Sequence, residues 1–316
     1  MTERPISMDD LPPVLYHYTG AGGLTGILDP RLPDEMISSS GDTGGVALFQ
    51  ASDVRFMNDT KELRYGADLL VERLRADAEA NPDVMGEIFA ELADHFVSDL
   101  FTSTRPKYRV FAVCFCVNGD LLSQWRGYGG SGGYAIGFPT DVLLWRSFSV
   151  IRRPPNATTS SNTVPRKVLY GPDAESEVDD FIARSREAWA GGRLIGDGSG
   201  RPSLDWLLGN VYRFIAQLKD DAFSEEQEYR LIQPTEPGSG QLASVALRGS
   251  RLVPYVDIVL DRLNPPGVSV ELPSLAEIVV GPGGDQDGRV IAVRDLLRSA
   301  GYPETPVRKS NATYRG

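Results

Sequence analysis

"YRVFAVCFCV", residues 108–117, decides the fold class, because it combines aromatic and β-branched residues in the most strand-like run of the chain. The run is followed by "NGDLLSQWRGYGGSGG" (118–133), which is rich in turn-forming residues, and then by a second strand-like run, "YAIGF" (134–138). This order predicts two strands joined by a glycine-rich connection, so a sheet is expected.

Further strand-like and helix-like runs lie on both sides of this segment. The expected strands are 14–19, 46–50, 166–171, 227–233, 253–260, 268–272 and 277–281. Apolar residues recur at helical spacing in the runs near 60–80, 84–101, 175–190, 203–220 and 290–301. Because strands cluster and helices lie between the clusters, the pattern favours an α+β fold over the regular alternation of a doubly wound nucleotide fold. We expect one elaborated domain over 1–316, with a helical insertion around 174–221.

Composition excludes several function classes. The 316 residues carry a net charge of −11, which disfavours sequence-independent binding to nucleic acid. The N-terminal residues are acidic and polar, and no apolar run is long enough to span a membrane, so a cytoplasmic protein without membrane contact is expected. With two histidines and two cysteines, the usual zinc spacings are absent, and no metal is expected; a site built from carboxylates alone is the alternative. Cys114 and Cys116 are interpreted as buried thiols.

Three segments contain residues suited to a ligand site. His17, a scarce imidazole, lies between tyrosines in "VLYHYTGAGGLTGIL" (14–28), where it either packs or contacts a ligand. The second segment, "LLSQWRGYGG" (121–130), follows the most strand-like run. Its residues either cover the core or form a cleft that stacks a planar ring and orients a polar ligand. The candidates there are Ser123, Trp125, Arg126 and Tyr128.

The third segment is "FSEEQEYRLIQ", residues 223–233. Strand alternation would put Glu226, Glu228 and Arg230 on one face and bury Tyr229 and Leu231 on the other. Taken alone, this segment favours a solvated edge strand with an ion pair over a catalytic carboxylate.

Other motifs are interpreted as structural. "GGSGG" (129–133) resembles a nucleophile elbow around Ser131, but the expected strand and helix are in the wrong order, so it is predicted to be a turn. "GPGGDQDGR" (281–289) lacks the lysine and the spacing of a phosphate loop and is predicted to be a connecting turn. His95 lies beside a helical apolar stripe and is predicted to be structural.

The three segments together resemble, in chain order, the three blocks of the ADP-ribosyltransferases of the His-Tyr-Glu type. The resemblance rests on the segments "LYHYTGAGGLTGIL", "VFAVCFCV" leading into "SQWRGY", and "EEQEYRL". The first block departs from the family pattern, because Tyr18 and Thr19 follow the histidine. The chain also resembles a bacterial family of unknown function with the patterns YHYT, RFMND, SQWRGYG, GYAIGF and EYRL.

The transferase resemblance implies a core of two small packed β-sheets with helical insertions and NAD in a cleft between them. It implies that His17 bonds a ribose hydroxyl and that Thr19, beside Tyr18, lies near the nicotinamide amide. Trp125 or Tyr128 would stack on the nicotinamide ring. Glu228, or less favourably Glu226, would bind the hydroxyl of the nicotinamide ribose. The implied catalytic set is thus His17, Tyr128 and Glu228, and the implied NAD contacts include Tyr18, Thr19, Ser123, Trp125, Arg126 and Glu226.

"RFMNDTKE" (55–62) supplies a candidate substrate rim of Arg55, Asn58 and Asp59, the last two being first of all helix-capping residues. The resemblance implies transfer of ADP-ribose to a protein or nucleic acid, in a toxin-like or defence role. An antidote protein is a further partner if that role holds. NAD hydrolysis and a non-catalytic binding module of the same fold are the alternatives.

Overall fold

A computed structural model describes residues 11–28, 47–57, 60–102, 108–129, 132–145, 148–151, 159–161, 163–194, 196–235, 243–248, 250–260 and 275–313. The strands are β1 (Val14–Thr19), β2 (Ala47–Asp53), β3 (Val110–Cys116), β4 (Tyr134–Pro139), β5 (Phe148–Ile151), β6 (Thr159–Ser161), β7 (Pro165–Lys167), β8 (Leu169–Tyr170), β9 (Leu218–Lys219), β10 (Glu228–Pro234), β11 (Ser244–Arg248), β12 (Arg251–Leu260), β13 (Glu277–Val280) and β14 (Val307–Lys309).

The helices flank these strands. They are α1 (Ala21–Leu28), α2 (Thr60–Ala80), α3 (Val84–Thr102), α4 (Leu122–Gln124), α5 (Thr140–Trp145), α6 (Gly171–Ala190), α7 (Leu204–Ile215) and α8 (Gln286–Ser299). Short 3-10 turns span Val54–Phe56 and Asp221–Glu226, and a π turn spans Trp125–Gly129. No helix in these ranges has the length and apolar character needed to cross a membrane.

Twelve of the described strands form one branched sheet, and β8 and β9 form a separate parallel pair. The main path runs β14-β13-β4-β1-β3-β2-β12-β5-β6, with β10 joining β3 to β7 and β11 pairing with β12. The α+β prediction is confirmed. The expected pair of separate sheets differs from this arrangement, because β3 hydrogen-bonds to strands of both halves and links them.

The branch at β3 opens a gap inside the sheet. One edge of β3 pairs with β10 along the whole strand. The other edge is shared, since Cys116 pairs with Tyr16 of β1 while Ala112 pairs with Ser52 of β2. Between these two points β1 and β2 diverge, which leaves the middle of β3 facing open space. This gap is where polar groups can be exposed in an otherwise apolar sheet.

Two large apolar clusters cover the two faces of the sheet. One is formed by the inner stripes of α2, α3, α6 and α7 together with residues of β3 and β10. Its members include Leu63, Leu70 and Leu74, which the sequence pattern predicts. The helix pair α6 and α7, predicted as an insertion, packs into this cluster and so forms part of the core. The second cluster lies under α1, α5 and α8.

Several short segments were also assigned from the sequence. Residues 166–171 contain the two short strands β7 and β8 instead of one continuous strand. Of the 281–289 segment, residues 281–285 form the predicted connecting turn and residues 286–289 already belong to α8, which Asp285 caps by accepting a hydrogen bond from the Gly288 amide. Ser131 and the strand expected at 268–272 lie outside the described residues.

Candidate functional site

Two adjoining cavities occupy the gap between β1 and β2. Cavity A, about 300 Å³, is bordered by α1, β2 and the β11–β12 hairpin, and cavity B, about 260 Å³, is bordered by the π turn and the start of β10. Five residues line both cavities, namely His17, Tyr18, Met57, Cys114 and Tyr128. The two cavities therefore adjoin at these residues, and together they are called the cleft below.

His17 bridges the gap in the sheet. Its Nδ1 lies 2.8 Å from the Cys114 carbonyl oxygen, on the stretch of β3 where neither β1 nor β2 pairs with Cys114. The imidazole packs against Phe49 and Phe115, with ring centroids 5.8 and 5.7 Å away. Burial lowers the pKa of His17 to about 4, so the ring is neutral at neutral pH.

The tautomer of His17 follows from its partner. A carbonyl oxygen can only accept a hydrogen bond, so Nδ1 carries the proton and donates to Cys114. In a neutral ring Nε2 is then an unprotonated acceptor. A ligand hydroxyl is the natural partner for such a nitrogen.

His17 alone is expected to lower the free energy of unfolding by about 1 kcal/mol between about pH 7.5 and about pH 5.5. In the unfolded chain the imidazole titrates near its ordinary pKa of 6.5 and gains a proton over this interval, whereas in the folded protein the pKa of about 4 keeps it neutral. Lower pH therefore favours unfolding, and this loss levels off below about pH 4.

Urea denaturation of the wild type and of His17→Asn across this interval measures the effect. Asparagine retains an amide donor for the Cys114 carbonyl but does not titrate. Equal pH dependence in the two proteins would contradict the prediction.

An acidic and basic cluster forms the floor of cavity B. Glu228 accepts hydrogen bonds from Arg230 Nε at 2.6 Å and Nη2 at 2.8 Å, and from Lys219 Nζ at 3.1 Å. Lys219 also donates to Glu226 at 2.7 Å. The cluster is balanced in charge, with two carboxylates and two cations.

Glu228 is held ionised in this cluster. Burial by itself would raise its pKa, but the charges and hydrogen bonds of Arg230, followed by the charge of Lys219, outweigh burial and lower the pKa to about 2. The side chain is only 3% exposed. Oε2 accepts from both Arg230 and Lys219, whereas Oε1 accepts only from Arg230, so a ligand hydroxyl either uses the remaining acceptor site of Oε1 or displaces a contact. Lys219 makes the longest of the three cationic contacts.

The prediction that Glu226 and Glu228 share a strand face is wrong in its geometry. Glu226 ends a 3-10 turn, and Gln227, with φ of 43°, has the left-handed conformation that reverses the chain before β10 begins. This conformation is unfavourable for a residue with a side chain. Both carboxylates nevertheless line cavity B. The strand is also not a solvated edge, because β10 is buried between β3 and β7.

The structure distinguishes between the two aromatic candidates. Trp125 is 1% exposed, donates from Nε1 to Asp120 at 2.8 Å and packs edge-on against Tyr18. It lines neither cavity and is unavailable for stacking, which corrects its assignment as a ligand contact. Tyr128 is 42% exposed and lines both cavities.

Some of the other predicted ligand contacts line a cavity, and others do not. Thr19 lines cavity A, and Ser123 lines cavity B. The Tyr18 hydroxyl donates to the Asn118 carbonyl and accepts from the Leu121 amide, which is a structural use of this group. Arg126 is exposed and lines neither cavity.

Arg55, the one residue of the predicted substrate rim that the structure describes, does not face the cleft. Arg55 binds Asp53 through Nε at 3.0 Å and Nη2 at 2.8 Å and lines neither cavity A nor cavity B. Asn58 and Asp59 lie outside the described residues. The neighbours Phe56 and Met57 line the cleft instead.

The sequence interpretation missed several residues that line the cleft. These are Phe56, Met57, Lys219, Phe223 and Arg248. The RFMND pattern offers a signal for the first two. Lys219, Phe223 and Arg248 carry no local signal, because their placement depends on how distant segments pack.

The described residues contain no group of three or more His, Cys, Asp or Glu side chains arranged to hold a metal ion. Cys114 and Cys116 are free thiols, and burial raises the pKa of both well above the ordinary value. They are therefore protonated and weak as nucleophiles or metal ligands at neutral pH. His95 lies in α3 and lines neither cavity.

Comparison with known protein families gives one match. Residues 124–231 match the model of a family described as a protein of unknown function (DUF2971). The matched stretch includes Tyr128, Lys219 and Glu228 but ends before Arg248 and begins after His17. The expected likeness to a family of unknown function is supported over that stretch. No curated protein and no solved structure matches the chain.

Proposed function

We propose that the protein is an NAD-dependent ADP-ribosyltransferase that modifies a macromolecular acceptor, a protein or a nucleic acid. The observation that carries the proposal is the convergence of His17, Tyr128 and Glu228 on one cleft, from three segments far apart in the chain. An imidazole acceptor, an accessible phenol ring and an ionised carboxylate are the groups that the reaction needs. An ADP-ribosyltransferase core, a toxin or defence role in the bacterial cytoplasm and an antidote partner belong to the same proposal.

The reaction breaks the bond between the nicotinamide nitrogen and C1′ of the ribose. The bonding electron pair leaves with nicotinamide, which departs as a neutral molecule. A lone pair of the acceptor forms the new bond to C1′, and the acceptor proton passes to solvent. Positive charge develops on the ribose between these events, so a fixed carboxylate nearby lowers the barrier.

The residues of the cleft have distinct roles in this scheme. Nε2 of His17 accepts a ribose hydroxyl, because Nδ1 is committed to Cys114. Tyr128 stacks on the nicotinamide ring and holds the leaving group. Glu228 accepts the second ribose hydroxyl after Lys219 shifts fully to Glu226, to which it already donates at 2.7 Å.

A second candidate function is a non-catalytic binding module for the same ligand. It is favoured by the engagement of both Glu228 oxygens, which leaves the carboxylate neutralised by Arg230 and Lys219. NAD hydrolysis is the other enzymatic outcome, with water in place of the acceptor.

Incubation of the purified protein with NAD, followed by measurement of released nicotinamide and of ADP-ribose bound to protein and RNA fractions, tests the proposal. Nicotinamide release with label on a macromolecule supports transfer, and release without label indicates hydrolysis. NAD binding with no release, across protein, RNA and DNA acceptors, would refute the enzymatic proposal in favour of the binding module.

Tyr128→Ala is expected to weaken NAD binding about 10-fold, whereas Tyr128→Phe retains it, because stacking by the ring is worth about 0.5–1.5 kcal/mol beyond the buried area. The side chain is exposed at the cleft, so neither change should affect folding. Isothermal titration with NAD measures the difference. Equal affinity of the alanine variant and the wild type would exclude Tyr128 as the stacking residue.

A further inference from the structure

We propose that Arg248 forms a phosphate-binding subsite in cavity A. The proposal concerns a residue outside the family match and outside the segments that resemble the transferase blocks. Arg248 ends β11, and the hairpin with β12 brings it to the wall of cavity A, which glycines of α1 also line.

The described lining of cavity A contains a single charged side chain. Arg248 is the only Asp, Glu, Lys or Arg among the described residues that line this cavity. The polar groups around it are neutral, and they include Thr19, Gln50 and Ser52. In a chain with a net charge of −11, a cleft wall with a lone cation and no acid is suited to an anion.

Arg248 makes only long hydrogen-bond contacts with its described neighbours. Its Nη2 lies 3.4 Å from the Gln50 carbonyl oxygen and 3.5 Å from Gln50 Oε1, which are long distances for hydrogen bonds. No carboxylate of the described residues forms an ion pair with it. Arg248 is exposed over the residue as a whole, but partial burial of its guanidinium lowers its pKa, and no acid among the described residues compensates for this. A bound phosphate would supply that compensation through a bidentate contact.

The contrast with cavity B gives the ligand an orientation. In cavity B the charges of Glu226 and Glu228 are balanced by Lys219 and Arg230, whereas in cavity A the positive charge of Arg248 has no acid beside it among the described lining residues. A ligand that joins a phosphate group to a ribose with a cationic base would place the phosphate in cavity A and the base in cavity B. This orientation rests on the proposed function, while the phosphate subsite itself does not.

The first turn of α1 completes the wall. Gly20, Gly22 and Gly23 line cavity A, so main-chain atoms near the start of α1 border the same space as Arg248. Glycine main chain is compatible with a bulky anion and adds no negative charge. The ligand group inferred for Arg248 is therefore a phosphate, and its assignment to the pyrophosphate of a nucleotide rests on the proposed function.

The test compares ligands with and without phosphate. ADP-ribose and ADP contain pyrophosphate, whereas nicotinamide riboside contains none. Isothermal titration is expected to show that Arg248→Met weakens binding of ADP-ribose and ADP about 10- to 100-fold and leaves nicotinamide riboside unchanged. Arg248→Lys retains the charge but not the bidentate geometry, so it should give an intermediate loss.

Arg251 provides the matched control. It lies across the hairpin from Arg248, is exposed and lines neither cavity. Arg251→Met should therefore bind all three ligands like the wild type. If both methionine variants lost the same affinity for ADP-ribose and ADP, the loss would come from the change in net charge alone. That result would overturn the subsite.

The remaining outcomes separate this inference from the proposed function. ADP binding that depends on Arg248, in a protein that releases no nicotinamide from NAD, supports the subsite while the transferase proposal fails. Nicotinamide release that Arg248→Met leaves unchanged, at NAD concentrations below saturation, overturns the subsite while the transferase proposal stands. Failure of the wild type to bind ADP-ribose and ADP also overturns the subsite.

Discussion

Glu228→Gln is expected to reduce nicotinamide release from NAD by about 10²- to 10³-fold, the usual scale for removal of one preorganised electrostatic contact. The loss has two sources. The carboxylate that faces the developing positive charge is removed, and Arg230 and Lys219 are left without their shared counter-ion. The local charge thus changes from balanced to positive at the point where positive charge must develop.

The substitution also affects folding, and the experiment must separate the two effects. Breaking a buried ion pair by removing one partner costs about 3–5 kcal/mol. Glutamine can still accept one hydrogen bond from Arg230, so a cost at the lower end is expected. Turnover is therefore expressed per folded molecule, with the folded fraction taken from circular dichroism at the assay temperature.

A double variant makes this separation sharper. Adding Lys219→Met to Glu228→Gln removes one positive charge together with the negative one, so much of the lost stability should return. Turnover should remain low, because the carboxylate is still absent. Recovery of turnover along with stability would show that Glu228 acts only through folding.

Glu225→Gln is the matched control for Glu228. Glu225 lies in the 3-10 turn just before β10, is exposed and lines neither cavity, so its variant should turn over NAD like the wild type. Unchanged turnover in Glu228→Gln would remove this residue from the mechanism.

Asp53→Asn is expected to lower the free energy of unfolding by about 3 kcal/mol, because it leaves two arginines beside a fully buried position without their counter-ion. Asp53 has no exposed side-chain surface and accepts hydrogen bonds from the side chains of Arg55 and Arg109 and from the Arg55 amide. It also starts the turn that carries Phe56 and Met57 to the cleft.

Urea denaturation at neutral pH measures this effect, with Asp68→Asn as the control. Asp68 is 67% exposed and its pair with Arg64 is 3.6 Å long, so its loss should change stability by less than about 0.5 kcal/mol. NAD affinity should fall in Asp53→Asn and not in Asp68→Asn. A stability change in Asp53→Asn as small as in the control would contradict the prediction.

Patterns along the chain predict the elements well where burial has a clear period. The stripe of Leu63, Leu70 and Leu74 predicts α2, and the apolar run around Phe111 predicts β3. The burial of Tyr229 and Leu231 follows from strand alternation in the same way. These positions depend mainly on local geometry, which the sequence expresses directly.

The errors arise where burial depends on distant partners. Glu228 and Arg230 are charged, which is typical of an edge strand, but β3 and β7 enclose β10 on both sides. Trp125 and Tyr128 lie three residues apart in one turn, and only the packing of Gly281 and Tyr18 against the indole decides which ring is buried. The place of Arg248 depends on a hairpin far along the chain.

The branch of the sheet at β3 affects the order in which the protein folds during its synthesis. His17 leaves the ribosome early, whereas β10 and the hairpin that carries Arg248 and Val253 emerge more than 200 residues later. Because segments fold as they emerge, β3 gains its partner β10, and β2 its partner β12, only at this late stage. Products of premature termination between residues 231 and 247 therefore lack Arg248 and the hairpin wall of cavity A, although they contain every described residue that lines cavity B.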